Sequence, residues 1–182
     1  LGTEAAAAHQ IALTLASFSF SIALGIGAST SVRVGHAVGR GDTPGARRSG
    51  LAGGLLGAGL MGLFAIVFVL MPGGLARLFS NQTAVVAAAI PLLQIAALFQ
   101  LSDATQAVMA GALRGAGDTR ATLIGNLAGH YLIGLPLMLI LAFGMSMGAP
   151  GLWWALSAGL TAVGVALAIR FAVLTRSPIA RS

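Results

Sequence analysis

Five long apolar stretches, separated only by short polar or Gly/Pro-rich breaks, leave this chain few ways to fold. Crossing the hydrocarbon core of a bilayer as a helix takes roughly 20 mainly apolar residues. Segments at about 5–32, 49–71, 84–113, 120–144 and 151–174 meet that length. The breaks read "RVGHAVGRGDTPGARR", "ARLFSNQT", "RGAGDTR" and "GMSMGAPG". No water reaches backbone amides inside lipid, so each segment must bond its own backbone and is expected to be a helix. Composition agrees: 8% of residues are charged and 57% hydrophobic, with a mean hydropathy of +0.94. A soluble domain carries about a quarter charged residues. The predicted fold class is therefore all-α, a polytopic membrane bundle of five spans.

The charges set an orientation. Every basic residue is Arg, and the formal net charge is +6. A continuous basic face would point to nucleic acid, but here the arginines stand singly or in pairs between apolar blocks. Arg33, Arg40, Arg47 and Arg48 lie between spans one and two, and Arg114 and Arg120 flank the turn between three and four. Arg170, Arg176 and Arg181 end or follow span five, leaving Arg77 alone on the opposite side. The positive-inside rule then makes the first group of loops and the C-terminus cytoplasmic. Trp153 and Trp154, at the outer start of span five, are expected in an interfacial aromatic belt. That orientation puts the N-terminus outside. With Leu1 in place of a Met, the chain is expected to be part of a longer protein.

Two turns echo each other. "GRGDT" (39–43) and "GAGDT" (115–119) each follow a helix that ends in glycine and open the next one. Glycine supplies the stop and Asp/Thr caps the following helix, while Pro44 suits a first turn. Two similar tight turns, or a duplicated hairpin unit, account for the likeness.

The polar residues within the spans are the candidates for function. Phe99, Gln100, Asp103, Gln106, Ala107 and Ala110 share one face of span three. Asp103 stands about ten residues from Arg114, or roughly 16 Å along the axis, which is near the bilayer midplane. A carboxylate at that depth costs several kcal/mol unless it is protonated or surrounded by water, cations or donors. It is either a structural Asp bonded to a neighbouring Ser or Asn, or a proton or cation site on a wet cavity; the second reading is preferred. Gln10, Thr14, Ser17 and Ser21 form a stripe along span one that either packs helices or lines the same cavity. In span four, Thr122, Asn126 and His130 share a face, and His130 is a hydrogen-bonded structural residue or a proton relay. Pro91 and Pro136 are candidate kinks. Span two carries Gly50/Gly54, Gly53/Gly57 and Ala58/Gly62, small pairs that close helix packing explains.

Several chemistries are excluded. Cysteine is absent, so there are no disulfides or thiolate metal sites. His9, His36 and His130 lack zinc-site spacing, and there is no P-loop. No nucleophile–base pair stands out, so no enzyme is expected. No metal is expected beyond Na⁺ at Asp103.

Residues 5–50, "AAAAHQIALTLASFSFSIALGIGASTSVRVGHAVGRGDTPGARRSG", resemble the signature of the MATE (multidrug and toxic compound extrusion) family. The likeness is to the eighth helix and following loop of its bacterial NorM-type branch. "FQLSDATQAVMAGALRGAGDTR" (99–120) is similar to that family's tenth helix and next loop. The resemblance implies five helices equivalent to helices 8–12 of a twelve-helix, two-lobed transporter, with the first lobe and the seventh helix outside this chain. It implies secondary active efflux of organic cations and other drugs in antiport with Na⁺ or H⁺, in a bacterial inner membrane. No other cofactor is implied. Asp103 matches the family's tenth-helix carboxylate, and Phe99 stands where relatives carry Tyr. Glu4 does not replace the seventh-helix acid. Candidate cavity-lining residues are Gln10, Thr14, Ser17, Phe99, Gln100, Gln106, Asn126 and His130. The rival readings are a lipid-linked oligosaccharide flippase of the same superfamily, against which the absence of a midmembrane arginine counts, and a non-transporting membrane scaffold.

Overall fold

The computed structural model describes residues 2–179; Arg181, counted above with the C-terminal arginines, lies outside the described residues. Five helices are long and apolar enough to cross a membrane: α1 (Thr3–Gly39), α2 (Thr43–Leu70), α4 (Thr83–Gly115), α5 (Thr119–Gly144) and α6 (Gly148–Leu174). A short helix, α3 (Pro72–Arg77), follows α2 where only a loop was expected. Pro72 opens it, in the position where a missing N–H costs nothing.

The two echoed turns are built alike. Gly41 (φ 73°) and Gly117 (φ 82°) take the left-handed conformation that favours glycine. The amides of Asp42 and Asp118 reach back to Ala37 O and Leu113 O, each at 2.9 Å. Their carboxylates then cap the next helix, Asp42 Oδ1 accepting from Gly45 N at 2.8 Å and Asp118 Oδ1 from Ala121 N at 3.2 Å. Asp118 also holds Arg170 at 2.7 Å, which joins the α4–α5 turn to the end of α6. The arginine-rich segments therefore converge at one end of the bundle, with Arg77 at the other.

Helix α4 is the central post, against which α1, α2, α3, α5 and α6 all pack. Small residues let the backbones touch. A Cβ on Gly27 would lie 2.8 Å from Ala107 O, and one on Gly111 would strike the backbone of Gly27. The glycines of α2 behave as expected, Gly53 lying under Thr30 and Gly57 under Val108, with Gly50 against the Phe171 ring. Pro91 is carried within α4 without ending it.

Span four is less regular than expected. It is α-helical over Thr119–Leu127, π-helical over Ala128–Gly134, α over Leu135–Met138 and π again over Leu139–Gly144. Pro136 has no N–H to continue an α ladder, and the widened turn closes with Leu135 N bonding His130 O. In a π turn residues i and i+5 stack, so Gly129 and Gly134 fall on one face, against Gly159 of α6.

One placement corrects the sequence reading. Trp153 is 1% exposed and belongs to the core, not to an interfacial belt. Its indole donates to His9 Nδ1 at 3.2 Å and meets Phe99 edge-to-face at 5.4 Å. Burying the large ring removes more apolar area than an interface would, and His9 satisfies the N–H that burial would otherwise strand. Trp154 points out, 42% exposed.

Candidate functional site

The site begins with Asp103, carried by the central helix α4 and only 6% exposed. Its polar neighbours along α4 are engaged elsewhere. The Ser102 hydroxyl bonds Thr161 Oγ1 at 2.6 Å, and Gln106 Nε2 donates to Asn126 Oδ1 at 2.7 Å. Gln100 Oε1 lies 2.7 Å from the Ser19 hydroxyl. No hydrogen bond or ion pair to the Asp103 carboxylate forms among the described residues. The carboxylate instead lies on the wall of a cavity of about 300 Å³.

Four helices build that cavity. Helix α1 contributes Leu13, Ala16, Ser17 and Phe20; α4 contributes Phe99, Asp103 and Gln106; α5 contributes His130; and α6 contributes Leu156 and Leu160. Phe99 packs in a T-shaped contact with the buried Trp153, which does not itself line the cavity. His130 sits in the first π-helical stretch of α5, where its Nδ1 donates to Asn126 O at 2.9 Å. Asn126 in turn donates from Nδ2 to Thr122 O at 2.8 Å. The stripe expected on span four is thus a hydrogen-bonded ladder, tied to α4 through Gln106.

Ser17, Phe99, Gln106 and His130 meet Asp103 around one cavity, and the other expected lining residues do not. Gln10 and Thr14 line a separate depression with Phe79, Ser80 and Gln82, and Thr14 donates to Gln10 O at 2.8 Å. Gln100 is fully buried between α4 and α1, because its arc of the shared face turns toward the close α1–α4 contact. Asn126 stands behind Gln106. Phe20, Leu156 and Leu160 line the cavity but carried no polar signal in the sequence; only the packing of α1 and α6 on α4 brings them there.

Chemically, the arrangement suits a cation. One carboxylate without a partner among the described residues provides the charge, and the Ser17 hydroxyl and Gln106 Oε1 add oxygen atoms suited to a hard cation. The aromatic rings of Phe99 and Phe20 in the lining suit an organic cation, since aromatic quadrupoles attract positive charge. Among the described residues no three His, Asp or Glu side chains converge on a common point, as a multidentate metal site would require.

Comparison with known proteins follows the same line. The MatE family model matches residues 1–140. The chain is 44% identical over 185 residues to "Multidrug resistance protein NorM" of Burkholderia vietnamiensis, covering 99% of this chain and 40% of that protein. It is 41% identical to "Probable multidrug resistance protein NorM" of Pseudomonas aeruginosa, covering 94% of this chain and 36% of that one. The eukaryotic MATE transporter AtDTX14 superposes with a TM-score of 0.86 at 26% identity, over 95% of this chain and 40% of that structure. An inward-facing multidrug resistance MATE family transporter of the MOP superfamily shares the fold, with a TM-score of 0.82 at 21% identity, over 93% of this chain and 38% of that structure. The chain thus spans about 40% of the length of these relatives.

Proposed function

Because the chain belongs to the MATE family, whose members are transporters and not enzymes, we propose that it forms part of a secondary active multidrug efflux antiporter. It is a multi-pass integral membrane protein. In this reading the Asp103 cavity is one wall of the drug site, and the lobe that the resemblance places outside this chain supplies the other. Organic cations are the expected drugs and Na⁺ or H⁺ the coupling ion. The membrane is the bacterial inner membrane, with the C-terminus cytoplasmic; the gathering of arginines at one end of the bundle supports that orientation.

The observation that carries the proposal is a buried carboxylate, unpaired among the described residues, on a cavity wall beside an aromatic ring. When ionised, Asp103 attracts a lipophilic cation, which Phe99 and the apolar walls also favour. Na⁺ or H⁺ arriving from outside neutralises the same group and removes that attraction. At 4 Å and an effective dielectric of 20, the attraction amounts to about 4 kcal/mol, or close to a thousandfold in affinity. Coupling follows because drug and ion compete for one charge and bias two conformations by their differential affinity.

The test uses the full-length gene product reconstituted in vesicles. Asp103→Asn preserves the side chain's shape and removes its charge. Drug-stimulated Na⁺ or H⁺ exchange should disappear, and affinity for a cationic dye should fall by two to three orders of magnitude as an upper range. Unchanged exchange would refute the assigned role.

A further inference from the structure

At the arginine-rich end of the bundle, a second cavity of about 520 Å³ lies between the start of α2 and the segment that follows α6. Arg47 and Arg48 of α2 and Arg176 beyond α6 all line it, with Leu51 among its apolar residues. The cavity is built by other elements than the Asp103 site and shares no residue with it. One hydrogen bond ties its two walls together, Ile179 N donating to Thr43 Oγ1 at 3.2 Å. The Phe171 ring lies against Gly50, about two turns into α2, so the two segments approach closely.

Nothing acidic balances these arginines among the described residues. The carboxylates at this end are Asp42 and Asp118. Asp42 caps α2 through Gly45 N, and Asp118 pairs with Arg170 and caps α5. Neither lines the cavity. The backbone of α2 contributes little to anion binding, because Pro44 has no N–H and the amides of Gly45 and Ala46 already bond Asp42. Recognition would come from guanidinium groups, which match phosphate oxygens with paired N–H donors.

The surroundings identify which phosphate. From Leu51 to Leu70, α2 carries no polar side chain. Leu51 is 53% and Leu55 76% exposed, one turn apart on one side of the helix. An apolar strip therefore runs from the arginine cavity toward the membrane interior, as an acyl chain beneath a headgroup would require. We infer that this cavity binds an anionic phospholipid, its phosphate held by Arg47, Arg48 and Arg176 and a chain lying along Leu51 and Leu55. Basic pockets between spanning helices suit such headgroups.

Native mass spectrometry of the detergent-purified full-length gene product tests this. It is titrated with phosphatidylglycerol, with zwitterionic phosphatidylethanolamine and with soluble glycerol phosphate. The wild type should retain phosphatidylglycerol in preference to the other two. In Arg47→Gln/Arg48→Gln/Arg176→Gln that retention should fall by about a hundredfold, at roughly fivefold per arginine. Arg33→Gln/Arg114→Gln/Arg120→Gln, which removes equal charge from the same end, should retain the lipid. Should the first triple variant unfold, Arg176→Gln, beyond the last helix, should still lose roughly fivefold. Equal loss in both triple variants, equal retention of phosphatidylethanolamine, or equal binding of glycerol phosphate would each overturn the assignment.

Discussion

Replacing Gly111 by Ala places one methyl group where α4 meets the backbone of α1. The added Cβ would lie 2.8 Å from the Gly27 carbonyl carbon and 3.0 Å from its Cα, and it would come closer still to the oxygen. Ordinary contact begins at 3.4 Å, so the helices must part by about half an ångström or more. No side chain can rotate away, because the obstacle is main chain. A gap of about 0.5–1 Å forfeits roughly a quarter to a half of each pair attraction along the seam. Overpacking of this kind costs about 1–3 kcal/mol, and a rigid backbone obstacle places Gly111→Ala toward the upper end, a shift of roughly 30- to 150-fold in the unfolding equilibrium. Gly59→Ala is the matched control: nothing lies within 4 Å of that Cβ, and helix propensity favours Ala by up to about 1 kcal/mol. Denaturant titration of the full-length gene product in detergent, followed by far-UV circular dichroism, reads both. Equal midpoints for Gly111→Ala and wild type, or an equal loss in Gly59→Ala, would refute the packing argument.

Trp153→Phe keeps an aromatic ring beside Phe99 but removes the N–H that His9 accepts, and by the same titration should cost more than the about 1 kcal/mol of that bond alone, because the smaller ring leaves a void in the core. An unchanged midpoint would refute both the hydrogen bond's contribution and the core placement of the ring. Gln100→Leu should be neutral or stabilising, because Gln100 Nε2 is buried without a partner while the Ser19 hydroxyl keeps Ala16 O at 2.8 Å. A buried unpaired donor costs about 1–3 kcal/mol. A destabilisation beyond that range's lower bound would show that the amide has a partner in the membrane.

Much of the fold was readable from residue order because the bilayer leaves so few choices. The five spans follow from apolar length and backbone satisfaction alone, and the paired turns at Gly41 and Gly117 from glycine, aspartate and threonine in sequence. Asp103 stood out for the same reason, a charge among apolar residues. The short helix α3 and the π-helical stretches of α5 were not readable. The short helix opens at Pro72 and the first π stretch runs up to the turn that holds Pro136, and apolar patterning is silent on how backbone hydrogen bonds shift there.

Helical periodicity placed Gln100 and Asp103 on one face, yet they have different surroundings, since one arc of α4 is pressed against α1 and the next opens onto the cavity. Gln100 meets the Ser19 hydroxyl across the α1–α4 contact, whereas Asp103 lines the cavity. Trp153 likewise left its expected interfacial position once Phe99 and His9 offered a core niche that satisfied both ring and N–H. One-dimensional order therefore decides which segments enter the membrane and which residues are costly there, because transfer from water is a property of each segment alone. Which of those residues share a cavity depends on how the helices approach, and that is settled by contacts between residues far apart in the chain.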